Sequence, residues 1–178
     1  MTKLTNLEEY RKLSKEQLID LLQLFGRGAL TIDGFWFLGV EKLHGTEEAT
    51  DLDEQAWGHY GKVEAKLLKK YLSMEQVTRL EDICRIYLLT PIFGNLGATA
   101  EVRGNKCYLS VTDCHPQKAR VREKLGEFPC KGVGIAYFKS FLSELNPSLK
   151  FGCVVCPPDE HPEDLWCEWE VWFEENPT

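Results

Sequence analysis

Five of the seven cysteines fall between Asp113 and Phe173, and their placement constrains this chain more than any other feature. Cys114 follows a strand-like run and Cys130 opens a helix-like one. Cys153 and Cys156 form a C-x-x-C at the end of another strand run, and Cys167 stands in a last one beside Trp166. Thiols distant in sequence but gathered at element ends have the pattern of a site assembled by folding. Where structural disulfides are rare, clustered thiols more often bind metal or do redox work. An odd count of seven fits that use better than full pairing into bridges.

The compartment follows from the N-terminus, which is polar (Thr2, Lys3, Asn6, Glu8, Glu9) and carries no apolar signal-peptide core. No apolar run approaches membrane-spanning length, so the expected location is cytoplasmic and no membrane partner is expected. A formal charge of -7 argues against nucleic acid, which needs a cationic footprint. With 178 residues, 43% apolar and 28% charged, the chain is long enough for one domain with a real core.

The pattern divides the single domain 1–178 into a helical part, 1–95, and a cysteine-rich α+β part, 96–178. Ser14 to Gln17 reads as a capping box, followed by Leu18, Leu21, Leu22 and Phe25 at helical spacing. The spacing resumes at Phe35, Trp36, Phe37, Val40 and Leu43, with Gly26, Gly28 and Gly34 as places for a kink or a break. Thr46 caps a second helix with the stripe Leu52, Ala56, Tyr60, Val63, Leu67 and Tyr71. Ser73 to Gln76 reads as the start of a third, which Pro91 closes. Gly104-Asn105 is a hairpin loop between strands 98–103 and 106–114. A short polar helix is expected over 116–124 and a longer one over 131–145, then two strands on which Leu149 to Val155 and Leu165 to Phe173 alternate. The expected fold class is α+β: N-terminal helices packed on a small, mostly antiparallel sheet with two further helices.

Period-2 geometry puts Cys153 and Cys167 on the apolar faces of their strands, and Cys156 precedes Pro157-Pro158 at a strand end. Cys130 sits at an expected helix N-terminus, which favours thiolate, the form that binds soft or borderline metals. Cys130, Cys153, Cys156 and Cys167 therefore make a chemically sensible tetrahedral zinc site. An iron–sulfur cluster is disfavoured because the spacing matches no ferredoxin pattern. A dithiol at Cys153 and Cys156 lacks the usual helix N-terminal placement, and buried cysteine as a plain small hydrophobe is the bland alternative. Cys114 or His161 could replace one ligand, although His161 lies in a polar, proline-flanked turn. Cys84 and Cys107 read as core.

Asp33 precedes Trp36 and Phe37 by one helical turn, and Glu64 lies between Tyr60 and Leu67. An acid on an aromatic stripe is paired or shifted in pKa, which is how general acids and bases are made. His59 and Glu41 could join them, and Asp113 could orient Arg120. A boundary position with the carboxylate reaching water is an equally good reading.

Asp33-Gly34-Phe35-Trp36-Phe37, Leu52-Asp53 with Trp57, and Glu64-Ala65-Lys66 resemble an uncharacterised prokaryotic family of cytosolic proteins. So does the run Asp113-Cys114, Phe128-Pro129-Cys130-Lys131, Cys153, Cys156-Pro157-Pro158-Asp159, His161-Pro162 and Trp166-Cys167-Glu168-Trp169. The C-terminal half is similar to the L-2-amino-thiazoline-4-carboxylic acid hydrolase family through Cys114, Cys130, Asn146-Pro147 and Cys167. More distantly, Cys130, helix, strand, Cys153 and Cys167 resemble 4-vinyl reductase domains, which bind small hydrophobic ligands and often carry zinc. By that resemblance Cys130, Cys153 or Cys156, and Cys167 would be the metal ligands. Asp164-Leu165-Trp166 departs from both patterns, standing where a Gly-Asp pair precedes the last cysteine.

Two function classes follow. One is a zinc hydrolase acting on a C–N bond in a small cyclic or amide substrate. Its acid/base candidates are Asp33, Glu64 and His59, and its pocket is walled by Trp36 and Trp57. The other is a non-catalytic small-molecule sensor with structural zinc, its pocket lined by Phe35, Trp36, Tyr60 and Tyr137. A thiol or iron–sulfur redox protein is a third. The expected partner is a small molecule, and domains of the resembling kind often pair, which admits a homodimer.

Overall fold

The structure, a computed structural model, describes residues 5–174. Thr2 and Lys3 lie outside them. The helices are α1 (Asn6–Tyr10), α2 (Lys15–His44), α3 (Thr46–Tyr71), α4 (Leu80–Leu88) and α5 (Pro91–Gly94). Strands β1 (Ala98–Arg103) and β2 (Lys106–Val111) follow, then α6 (His115–Arg122), α7 (Lys131–Leu145), β3 (Leu149–Val155) and β4 (Cys167–Phe173). The strands form one antiparallel sheet in the order β1-β2-β4-β3. This is the α+β architecture that the alternation and helical spacing predict. No helix among the described residues is long and apolar enough to cross a membrane.

The Ser14–Gln17 capping box is present, and α2 runs unbroken for 30 residues. Gly26 does not divide it. A Cβ there would strike the Pro91 carbonyl, so Gly26 is where α5 presses against α2, and Gly28 and Gly34 face open space. The Ser73 helix start does not form. Ser73 takes a left-handed φ of 53°, and the next residues are strapped down as a loop. The Val77 N–H donates to the Leu145 carbonyl at 3.2 Å, and Asn146 Nδ2 donates to the Val77 carbonyl at 2.7 Å. Thr46 is the first residue of α3, whose N-cap is Gly45.

The largest departure concerns faces. Most of the apolar stripes on the first two helices point outward: Leu18, Leu22, Phe25, Leu52, Val63, Leu67 and Tyr71 are all exposed, while Phe37 is buried. On α3 the buried face is instead Ala49, Asp53, Gly61, Glu64 and Ala65. Small residues there let α7 approach closely. A Cβ on Gly61 would lie 2.7 Å from the Tyr137 carbonyl and 2.7 Å from Ser140 Oγ. The core joins this α3–α7 contact to the inner face of the sheet, with Phe138, Phe141, Leu142, Leu109, Trp169 and Val171 at its centre.

Candidate functional site

Cys130 is the N-cap residue of α7, as its position before a helix-forming run implies. Two residues into the segment after β3, the Pro157 carbonyl accepts from the Lys131 N–H at 3.0 Å. That bond pins the start of α7 beside Cys156. The Cys130 and Cys156 sulfurs are 3.7 Å apart. Cys167 opens β4 opposite Val111 on β2, and its thiol lies near enough to that of Cys156 to help raise its pKa. Three of the four proposed ligands are therefore neighbours, with the 2%-exposed Cys156 in the middle.

Cys153 stands opposite Trp169 on the same sheet face. Burial pushes its thiol up to about 11, and it lies in the field of Cys130, Cys167 and Lys131 rather than in contact with the trio. Cys114 caps α6 and senses Cys130 and Cys167 in the same way, its thiol pushed up to about 12 by burial. Among the described residues, no three His, Cys, Asp or Glu side chains close on a single ion position as they stand. Cys84 and Cys107, placed in the core by the sequence, are buried, and each thiol shifts the pKa of the other.

The sulfur trio is electrically asymmetric. Cys130 Sγ accepts from the Cys156 thiol and from Gln117 Nε2 at 3.3 Å, and these bonds hold its pKa below the ordinary thiol value despite burial. Cys156 keeps its proton, its pKa pushed far up by its contact with Cys130, by the nearby Cys167 thiol and by burial. Gln117 was not singled out in the sequence, because a glutamine in a short polar helix reads as solvated. It is 1% exposed and also donates to the Phe128 carbonyl and accepts from the Phe128 N–H, both at 2.7 Å.

Behind this cluster, α2 and α3 face each other with carboxylates between them. Asp33 on α2 is pushed up by desolvation. Asp53 on α3 is 3% exposed, and desolvation together with the negative charges of Asp33 and Glu54 pushes it up to about 7. The Trp57 indole faces both carboxyls and only partly offsets this. Asp53 Oδ1 has no hydrogen-bond partner among the described residues. Both acids line a cavity of about 420 Å³ walled by Leu30, Phe37, Leu38 and Phe128, with His115 and Arg120 from α6. A smaller cavity of about 340 Å³ holds Asp33, Trp36, Trp57 and Tyr60, four residues proposed from the sequence.

Other proposed residues lie elsewhere. Glu64 is buried but fully engaged, accepting from Tyr60 at 2.9 Å and Tyr137 at 2.7 Å. Tyr137 therefore serves Glu64 and lines neither cavity. His59 is exposed on α3 and joins none of these acids. Glu41 pairs with Arg120 through two bonds of 2.9 and 3.0 Å, so Asp113 does not orient that arginine and instead pairs with Lys118 on the surface. His161 packs against Trp166 with ring centres 5.0 Å apart and lies near Glu127, rather than joining the sulfurs.

Residues 11–173 match the model of a family described as a family of unknown function, DUF6125. No curated protein matches the chain.

Proposed function

The chain belongs to that family of unknown function, and we propose from its geometry that Cys130, Cys156 and Cys167 form a zinc-binding centre, with Cys153 or Cys114 as the fourth ligand. The observation that carries this is the 3.7 Å separation of the Cys130 and Cys156 sulfurs. Two thiolates at about 2.3 Å from a tetrahedral zinc stand about 3.8 Å apart, so the pair already has the spacing of one edge of such a site. A helix N-terminus and the Gln117 amide favour thiolate at Cys130, which is the charge state a metal needs. A zinc ion there would tie the start of α7 to the ends of β3 and β4, and a shell closed by four thiolates, with no position open to substrate, gives it a structural role.

The finer reading is a hydrolase of C–N bonds in a small cyclic or amide substrate seated in the carboxylate-lined cavity. Its acid/base pair is Asp33 and Asp53 rather than Asp33 and Glu64. Asp53, held near 7, can exchange a proton at neutral pH. Glu64 is tied to two tyrosines. A thiol redox protein is the second reading, and the contact that favours it is again Cys130 with Cys156. A peroxide oxidant would take two electrons and both thiol protons, leaving a Cys130–Cys156 disulfide and water.

Elemental analysis of purified protein separates these. About one zinc per chain, lost in both Cys130→Ser and Cys167→Ser, is expected for a thiolate site. Metal content unchanged in both variants overturns it. A metal-free protein that gains a Cys130–Cys156 crosslink under peroxide supports the redox reading instead.

A further inference from the structure

The cavity of about 420 Å³ holds a buried carboxyl group that no cationic side chain of the described residues pairs with. Asp53 is 3% exposed, lines the cavity, and leaves Oδ1 without a partner. Asp33 lines the same wall. Among the described residues, the Trp57 indole partly offsets the burial of these carboxyls, and no lysine, arginine or histidine is among the causes that shift them. The one buried cation in the lining, Arg120, is committed to Glu41 through both of its terminal nitrogens. Arg122 and Glu123 pair with each other at the exposed rim.

A buried carboxylate needs a donor or a counter-charge. The rest of the lining is mostly apolar, including Leu30, Phe37, Leu38 and Phe128, with Thr31 and His115 as its other polar side chains. We propose that this cavity binds a small organic cation, a primary ammonium or amidinium on a flat apolar body, whose charged end meets Asp53 and Asp33. A hard metal ion fits the lining worse. It demands six or more oxygen ligands, whereas the lining supplies side-chain oxygen from two aspartates, Thr31 and an exposed Glu123 already paired with Arg122. A volume of about 420 Å³ suits a molecule of one or two rings. The inference extends the reading of this cavity as a substrate seat, but it does not depend on the sulfurs holding a metal.

The test is calorimetric titration of the full chain at pH 8, before and after chelator treatment, with benzamidine as cation and benzamide as its neutral isostere. Benzamidine is expected to bind more tightly than benzamide by about tenfold or more, the scale of one charge-assisted hydrogen bond. Asp53→Asn is expected to reduce that preference to about threefold or less, with benzamide little affected. Ala119→Leu, which adds bulk to the cavity lining without touching the carboxyls, is expected to weaken both probes, with circular dichroism showing both variants folded. Equal binding of benzamide and benzamidine overturns the proposal, as does an undiminished preference in Asp53→Asn. No cation binding at millimolar concentration overturns it too. Loss of binding on chelation alone would instead assign the site to a metal.

Discussion

At the scale of single residues, Gln117 is the side chain on which the thiol centre most depends. It clamps the Phe128 backbone through both amide atoms and also reaches Cys130 Sγ. Gln117→Leu keeps the volume but leaves a buried N–H and a buried carbonyl unpaired, which costs about 2–4 kcal/mol. The same change removes a donor to the Cys130 thiolate. The pH midpoint of Cys130 alkylation by iodoacetamide is therefore expected to rise in the variant, while urea unfolding reports the lost stability. A stability loss with an unmoved alkylation midpoint would mean that Gln117 only braces the loop. The sequence disclosed Cys130 because a helix N-terminus can be read from local spacing. It did not disclose Gln117 because partners eleven and thirteen residues away are fixed by tertiary structure.

At the scale of elements, the legible parts are those set by local rules. The hairpin at Gly104-Asn105, α7 from Lys131 to Leu145, and β3 from Leu149 to Val155 all form where turn chemistry and periodicity place them. The failures have one physical origin. A capping pattern at Ser73 is outweighed by Leu145 and Asn146 holding Val77, the apolar stripe of α3 loses to a face with small residues, and α2 buries Gly26, Leu30 and Phe37 instead of its leucine stripe. Periodicity says that a helix has a face, but only the partner decides which face is buried. Gly61 is the decisive position, since its missing Cβ sets how near α7 can come. Gly61→Ala gains helix propensity of up to about 1 kcal/mol, yet it forces the new methyl against the Tyr137 carbonyl. Net destabilisation of about 1–3 kcal/mol is expected in thermal or urea unfolding. Gly28→Ala, on the same chain but facing open space, is expected to stabilise instead. Equal effects of the two substitutions would remove the close-packing argument.

For the whole molecule, the buried acids make stability and pH run against the usual direction. Desolvation raises Asp33, Asp53 and Glu64 above their ordinary values, Asp53 to about 7. The unfolded chain gives up these protons near pH 4, whereas native Asp53 holds its proton until about 7. Between those limits the native state binds more protons, so raising the pH favours unfolding. The Asp53 contribution is whole below about pH 4 and is lost as pH rises through about 7. Glu41, Asp113, Glu144 and Asp159 are shifted downward by their cationic partners and act in the opposite sense. The wild-type profile alone therefore mixes both. The difference between Asp53→Asn and wild type isolates one group, because asparagine cannot titrate. That difference is expected to grow in favour of the variant by about 2 kcal/mol between pH 5 and pH 8 in urea unfolding. A saturating organic cation should shrink it by stabilising the ionised wild type. A difference that stays flat across this range would place Asp53 in contact with water or with a cation of the chain, and the cavity would lose its unpaired charge.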